Sequence, residues 1–260
     1  MSFIRVPNQI IKYSCSVNHI VLPVYLYSAI HCNPNNDNIV DTNLAHISET
    51  FAPNEDVRRK IHLKVEDVIR LLSSDVEDVD LSITEENREY IESELLHKSE
   101  VIKGFSACFD GALADKIDKT TRIQYQFLDR DIKMENGFTM LDYEEYFYLI
   151  NTITKINEDK GKTTKSNKWN LIDLINFYMY LKMRIIYFHN TAVAKNSMNI
   201  TMHDSVMKMA SVMKVGNKTI TKYTNELIEL GLIHTKMGNF KEGKSTEYSL
   251  SDNWKRNRSN

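Results

Sequence analysis

Cysteine is scarce in this sequence, and its spacing excludes two common ways of stabilising a small domain. The three cysteines, Cys15, Cys32 and Cys108, are an odd number, and no two of them lie at the short spacing of a zinc ribbon. Neither a disulfide framework nor a structural zinc site is therefore indicated. We expect a chain that folds in a reducing cytosol.

Long apolar runs are also missing. No stretch approaches the roughly twenty apolar residues that a membrane-spanning helix requires. The opening residues, MSFIRVPNQI, lack the hydrophobic region of a signal peptide. We expect no membrane partner and a cytoplasmic location.

The signatures of common catalytic and metal sites are absent as well. Gly161-Lys162-Thr163 follows no predicted strand and lacks the earlier glycine of a phosphate-binding loop. No Gly-x-Ser-x-Gly occurs, and the eight histidines show no metal-binding spacing. His31-Cys32 is the nearest pair, but adjacent helical residues point about 100° apart. We predict no catalytic residue, no metal and no cofactor, and therefore no enzyme.

Net charge is nearly balanced, at -2 over 260 residues, but its distribution is uneven. From residue 155 onward there are 18 Lys and Arg against 9 Asp and Glu, a balance of +9, which leaves -11 for residues 1–154. Twelve acidic residues lie between Glu66 and Glu100. The C-terminal part is therefore the part suited to a nucleic-acid partner.

The stretch from residue 202 to residue 250 has the most regular pattern in the chain. Apolar residues recur there at helical spacing in two segments separated by Gly216. The predicted inward positions are Val206, Met209, Ala210 and Met213 in the first helix and Ile220, Thr224, Leu227 and Ile228 in the second. Gly231 is predicted to end the second helix, because glycine adopts the left-handed closing conformation at the lowest cost.

Residues 232–236 and 246–250 alternate as two paired strands, joined by a turn rich in Gly, Asn and Lys. The order is helix, turn, helix and basic hairpin, and the second helix ends in Leu-x-x-x-Gly-Leu-Ile from Leu227 to Ile233. This arrangement resembles the winged helix-turn-helix, a family of proteins that read double-stranded DNA. The resemblance implies a recognition helix followed by a β-hairpin wing.

Polar side chains on the second helix are suited to this role. Lys218, Thr219, Thr221, Lys222 and Asn225 face away from the predicted core and can donate to phosphates or base edges. Thr221 and Asn225 are alternatives for reading a base. Along the helices and wing, the predicted DNA-binding residues are Lys214, Asn217, Lys218, Thr219, Thr221, Lys222, Asn225, Lys236, Asn239, Lys241 and Lys244. The other interpretation is a solvated helix face in a fold that contacts proteins.

The N-terminal part contains a similar order of predicted elements. Residues 3–11 indicate an edge strand or an extended lead-in, because Pro7 interrupts them. A helix is predicted from His19 to His31, followed by a second that Thr42, beside Asn43, can cap and a third that begins at Pro53.

The opening strand has a counterpart later in the chain. Phe138-Thr-Met-Leu-Asp-Tyr parallels Phe3-Ile-Arg-Val-Pro-Asn, and residues 177–183 parallel residues 23–29. A degenerate repeat of this length predicts two similar domains. We predict an N-terminal winged-helix-like domain with an acidic helical extension at 1–135 and a C-terminal winged helix-turn-helix at 136–260.

The third predicted helix of the first domain carries the only dense basic cluster of the acidic half. It falls where the repeat places a recognition helix, so weaker DNA binding is expected from this domain too. The cluster consists of Arg58, Arg59, Lys60 and Lys64. The alternative, that these cations pair with the acidic run after Glu66, is equally compatible with the sequence.

Three further segments carry predictions. Residues 121–128 alternate cleanly and indicate a strand, either the first domain's wing or the start of the second domain's sheet. Residues 157–168 lack periodicity and indicate a loop. The segment from Leu171 to Phe188 is apolar on nearly every face, so it requires either core packing within the monomer or a second subunit.

The sequence thus predicts a mainly α fold with small β-hairpins (α+β), arranged as tandem winged helix-turn-helix domains. Such a chain, with its FIRVPNQII opening, resembles the replication initiators of plasmids and phages, including the replisome-organiser type of low-GC Gram-positive elements. The resemblance implies binding to repeated origin sites and recruitment of host replication proteins. Two alternatives stay open: a homodimeric transcriptional regulator on a palindromic operator, or a scaffold for protein partners.

Overall fold

A computed structural model shows a mainly helical protein with small antiparallel sheets. It describes residues 3–35, 38–52, 105–106, 120, 122–127, 137–161, 169–194, 202, 204–236 and 246–257. The chain divides into two compact units, one made of residues 1–19 with 137–260 and the other of residues 20–136. The predicted α+β class is confirmed.

The elements follow one another along the whole described chain. The helices are α1 (Asn8–Ser16), α2 (Val21–His31), α3 (Leu44–Phe51), α4 (Tyr143–Gly161), α5 (Leu171–Ala194), α6 (Val206–Met213), α7 (Asn217–Glu229) and α8 (Asn253–Asn257). The strands are β1 (Phe3–Pro7), β2 (Ile39–Thr42), β3 (Phe105–Ser106), β4 (Ile123–Gln126), β5 (Phe138–Asp142), β6 (Ile233–Lys236) and β7 (Glu247–Leu250). All strand pairs are antiparallel: β1 with β5, β4 with both β2 and β3, and β6 with β7.

Strands β1 and β5 form a ribbon in the unit that contains both ends of the described chain. Phe3 lies opposite Asp142, and Pro7 lies opposite Phe138. Alternate residues of both strands are buried, as expected when one face of a ribbon packs on a core. The ribbon therefore joins the first described residues to the C-terminal part of the chain.

This pairing differs from the predicted boundary between residues 135 and 136. The sequence predicts that the two similar strands begin two separate domains, whereas the structure pairs them with each other in one unit. Each strand has an apolar face to bury and an edge that requires a partner, and the two strands satisfy both needs together.

Helix α1 replaces part of the extended lead-in that the sequence predicts up to Ile11. It begins at Asn8, directly after Pro7, whose φ of -56° suits the start of a helix. Its buried residues include Ile11 and Cys15, and the Cys15 thiol donates to the backbone oxygen of Asn176 in α5 at 3.5 Å. Burial raises the pKa of this thiol. Helix α1 is therefore part of the same core as α5.

Helix α5 lies at the centre of this unit. It contacts α1, α4, α7, β5 and β7, and every residue from Leu174 to Met183 is buried. Such burial requires apolar residues on all faces of the helix, which is the pattern in the sequence. Packing within the monomer thus accounts for the apolar residues from Leu174 to Met183.

Polar groups of α5 are paired inside this core. Lys182 forms an ion pair with Glu145 of α4, and the Tyr178 hydroxyl donates to the same carboxylate. Burial and the neighbouring Glu145 charge raise the pKa of Tyr178. Buried charges are tolerated when they are paired and hydrogen-bonded in this way.

Helix α4 continues into the segment that the sequence predicts as a loop from residue 157. Asn157 is buried, and its side-chain amide donates to the backbone oxygen of Trp169 at 2.9 Å. Its side-chain oxygen accepts from the Trp169 N–H at 2.7 Å. The two bonds hold the end of α4 beside the residues that precede α5, so the loop prediction is wrong for residues 157–161.

In the other unit, α2 lies within the helix predicted from His19 to His31, and β4 lies within the strand predicted at residues 121–128. This strand, β4, pairs with β2 and β3, so it does not belong to the sheet of the C-terminal unit. The cap of α3 is Asn43 rather than Thr42, since the Asn43 side chain accepts from the backbone N–H of His46 at 2.8 Å.

Candidate nucleic-acid interface

Helices α6 and α7 are joined by a short turn, as the sequence predicts. Lys214 adopts the left-handed conformation, with φ at 50°, and the N–H of Val215 donates to Ala210 at 3.0 Å. Gly216 is then extended and precedes the first residue of α7. The chain direction changes within residues 214–216, which leaves the Lys214 side chain exposed between the two helices.

The start of α6 is fixed to α5 by a buried carboxylate. Asp204 accepts from Arg184 Nε at 2.9 Å and Nη2 at 3.1 Å, from Lys208 Nζ at 2.8 Å and from the Tyr180 hydroxyl at 3.2 Å. Burial alone would raise the pKa of Asp204, but hydrogen bonds and charges from Arg184 and Lys208 lower it overall. Ser205 follows and caps α6 through the Lys208 N–H.

The inner side of α7 is also fixed to α5. Ile220 and Leu227 are fully buried, and the Tyr223 hydroxyl donates to Asp173 Oδ2 at 2.5 Å. The other oxygen of Asp173 lies 2.9 Å from His19 Nδ1. Burial, followed by the hydrogen bond and charge of Asp173, raises the pKa of Tyr223. Apolar packing and this hydroxyl together set the rotation of α7.

The outer side of α7 carries the polar residues that the sequence predicts as DNA contacts. Lys218, Thr221, Lys222 and Asn225 are exposed and fall within a band of about 100° around the helix axis. Asn217 is also exposed and Thr219 is half-buried. The amphipathic pattern predicted for this helix is therefore present.

One predicted inward position is wrong. Ile228 is 38% exposed, whereas Tyr223 and Glu226 are buried. At about 100° per residue, Ile228 lies about 80° from Ile220 and so falls at the edge of the buried side. The aromatic ring of Tyr223 covers the opposite edge of the core.

The exposed side chains of α7 differ in their hydrogen bonds and ion pairs. The Thr221 hydroxyl donates to the backbone oxygen of Asn217 at 3.1 Å, and Lys222 Nζ lies 3.7 Å from Glu226 Oε1. Among the described residues, the side chains of Lys218 and Asn225 form no hydrogen bond or ion pair. The free groups are therefore an ammonium at the start of α7 and an amide two turns later.

A hairpin follows α7, as predicted. In the register of β6 and β7, Ile233 lies opposite Leu250 and Lys236 opposite Glu247. A third segment joins this sheet at Met202, which exchanges two backbone hydrogen bonds of 3.0 Å with Tyr248. Lys236 is exposed at the end of β6.

The C-terminal end of α7 is in contact with α8 and α4. Gly231 has φ at 72°, as predicted for the closing glycine, and a Cβ there would lie 3.0 Å from the backbone nitrogen of Trp254. The Tyr148 hydroxyl of α4 donates to the backbone oxygen of Leu230 at 2.9 Å. The positive φ and the close approach of Trp254 explain why a residue without a side chain is required at Gly231.

The structure brings together about half of the predicted DNA-binding residues. The turn and α7 carry Lys214, Asn217, Lys218, Thr219, Thr221, Lys222 and Asn225, and Lys236 lies on the hairpin. Outside the described residues lie Asn239, Lys241, Lys244, Arg58, Arg59, Lys60 and Lys64.

Two residues that join helices, Asp173 and Asp204, were not predicted from the sequence. Each lies near the start of a helix. Acidic residues are common there because they interact favourably with the helix dipole, so they indicate only a capping role. Their partners Tyr223 and Arg184 are 50 and 20 residues away. Capping was the only local signal, and it does not indicate that these carboxylates join helices.

No protein-family model, curated protein or solved structure matches this chain. Within the described ranges, no helix is long and apolar enough to cross a membrane. The same residues contain no group of three or more His, Cys, Asp or Glu that could hold a metal ion. The case for a function therefore depends on the surface of α6, α7 and the hairpin.

Proposed function

We propose that residues 202–257 form a winged helix-turn-helix and that the chain binds double-stranded DNA with α7 in the major groove. The observation that supports this most is the division of α7 into two sides. Its inner side is held by Tyr223 and Asp173, while its outer side offers cations, an amide and a hydroxyl. A rigid helix with exposed donors is what direct reading of base edges requires.

The charges along α7 define which end approaches the phosphates. Lys214 and Lys218 lie at its N-terminal end, where the helix dipole also favours an anion. Glu229 is exposed at the C-terminal end, where it would repel a phosphate. The N-terminal end of α7 is therefore the end that lies beside the DNA backbone.

The hairpin supplies a second contact in this proposal. Lys236 is exposed on β6, and the sheet is fixed to the chain before α6 by the Met202–Tyr248 bridge. In this proposal, a cation held in this way binds a neighbouring phosphate. The predicted Lys241 and Lys244 contacts stay predictions.

Lys218→Ala tests the proposal. Each lost phosphate contact reduces the slope of log affinity against log salt by about 0.9, so the variant should bind all duplexes more weakly and with a slope lower by about one. Lys155→Ala is the matched control, because Lys155 is an exposed lysine on α4. Binding is measured by fluorescence anisotropy at several salt concentrations.

Equal losses in the two variants, or none in either, would move the DNA contact away from α7. Lys222 is a poorer test, because its ion pair with Glu226 makes any loss of affinity inseparable from a change in the helix itself. A chain that forms no salt-dependent complex with any duplex would leave the protein-scaffold function instead.

We further propose that this DNA-binding chain is a replication initiator of a plasmid, phage or other mobile element, acting with host replication proteins. The support is the FIRVPNQII opening, which resembles such proteins. Footprinting on DNA that flanks the gene tests this role. Protection of direct repeats supports an initiator, whereas protection of one palindrome over the promoter supports a homodimeric transcriptional regulator.

A further inference from the structure

The outer side of α7 carries two exposed polar groups about two helical turns apart. Lys218 and Asn225 are seven residues apart, so they lie within about 20° of the same line along the helix. Their separation along the axis is about 10.5 Å.

The side chains between them are less available for reading bases. Thr221 gives its hydroxyl hydrogen to the Asn217 backbone oxygen at 3.1 Å, so it presents only an accepting oxygen and a methyl group. Lys222 is paired with Glu226 at 3.7 Å. The sequence alone leaves Thr221 and Asn225 as equal alternatives for base reading, and this hydrogen bond distinguishes them.

The side-chain amide of Asn225 is on the outer side of α7. The residue is exposed, and among the described residues its side chain has no partner that would occupy its donor or its acceptor. In the major groove, adenine presents an acceptor at N7 beside a donor at N6, which matches the NH2 and oxygen of an amide. Guanine presents two acceptors and cytosine one donor at these positions, so neither satisfies the amide fully.

We infer that Asn225 determines sequence specificity by binding the N6 and N7 edge of one adenine in the recognised site. This inference rests on the proposed DNA-binding function and names a base within it. Lys218, about two helical turns away, contributes to affinity and not to the choice of this base. The preferred site therefore contains one A·T pair whose replacement costs about 5- to 150-fold in affinity.

Selection of binding sites from a random duplex library tests the inference with the full-length chain. The wild-type protein should enrich one invariant adenine, and Asn225→Ala should lose the preference at that position alone while keeping the others. Asn225→Gln retains the amide and should restore part of the adenine preference. Asn151→Ala, an exposed asparagine on α4, is the control and should enrich the wild-type site.

Three results would overturn the inference. Asn225→Ala could select the same site as the wild type, or the wild type could bind duplexes with no invariant adenine. In both cases salt-dependent binding persists, so the proposed function stands and only the role of Asn225 fails. A wild-type chain that enriches no duplex at any salt concentration removes both, and far-UV circular dichroism of each variant shows that its helices are intact.

Discussion

Helices α5 and α7 belong to the same unit but differ in how much of their surface is buried. Every residue of α5 from Leu174 to Met183 is buried, whereas α7 buries one side and exposes the other. The two are in contact through the rings of Phe177 and Tyr223, whose centroids are 6.1 Å apart. The buried helix supplies the fixed support, and the half-exposed helix carries the groups that can meet a ligand.

The position of a helix relative to the core determines which of its polar groups are available to a ligand. A helix surrounded by protein has no free donors, and its polar groups, such as Lys182, are used internally. A helix at the surface can offer donors, but it needs a partner that prevents it from rotating. Substitutions in α5 should therefore affect stability, while substitutions on the outer side of α7 should affect binding.

The largest effect is expected from Phe177→Ala in α5. Phe177 is completely buried, so truncation leaves a cavity and should lower the free energy of unfolding by about 3–5 kcal/mol. Tyr187→Ala is the control, because Tyr187 lies on the same helix and is 59% exposed. Urea denaturation measures both, and similar losses would contradict the central position of Phe177.

A smaller contrast is expected within α7, between two adjacent aliphatic residues. Leu227→Ala should lower the free energy of unfolding by about 2–5 kcal/mol, because Leu227 is fully buried. Ile228→Ala should cost less than about 1 kcal/mol, because Ile228 is partly exposed. Thermal denaturation of the pair checks the rotation of α7, and a larger loss for Ile228→Ala would mean that the helix presents a different side.

A loss of about 1–3 kcal/mol at neutral pH is expected for Asp204→Asn, which keeps the shape of the side chain but removes the charge between α5 and α6. The pKa of Asp204 is lowered by folding, so its contribution is present above the ordinary value of 3.8 and is lost as pH falls through the lower folded value. The variant and the wild type should therefore converge in stability in acid.

Denaturant titrations between pH 3 and pH 7 measure this convergence. Lys155→Ala serves as the comparison. Because Lys155 is an exposed lysine on α4, its replacement should leave the pH dependence of the free energy of unfolding the same as in the wild type. A stability difference for Asp204→Asn that stays constant down to pH 3 would show that the carboxylate is not the titrating group.

Local features of the chain were predictable from the sequence. The two helices α6 and α7, the closing Gly231 and the hairpin follow from apolar spacing and turn residues within a few positions of one another. The polar outer side of α7 follows from the same spacing. These elements depend mainly on short-range geometry, which a sequence pattern records directly.

Long-range features were not predictable in the same way. The pairing of β1 with β5, the bond from Tyr223 to Asp173 and the bonds from Arg184 to Asp204 join residues far apart in the chain. Their sequence signals are two short alternating strands and isolated polar residues, which do not indicate partners. The choice between Thr221 and Asn225 depends on the orientation of a hydroxyl, which spacing does not determine.

The β1–β5 ribbon has a consequence for the order in which the protein is made. Strand β1 leaves the ribosome before its partner β5, which is synthesised on the order of ten seconds later at usual elongation rates. During that interval the apolar face of β1 and the buried side of α1 have no native core to join. The unit that carries α7 therefore cannot close until β5 and the helices that follow it have emerged, so the interface forms well after β1 has been synthesised.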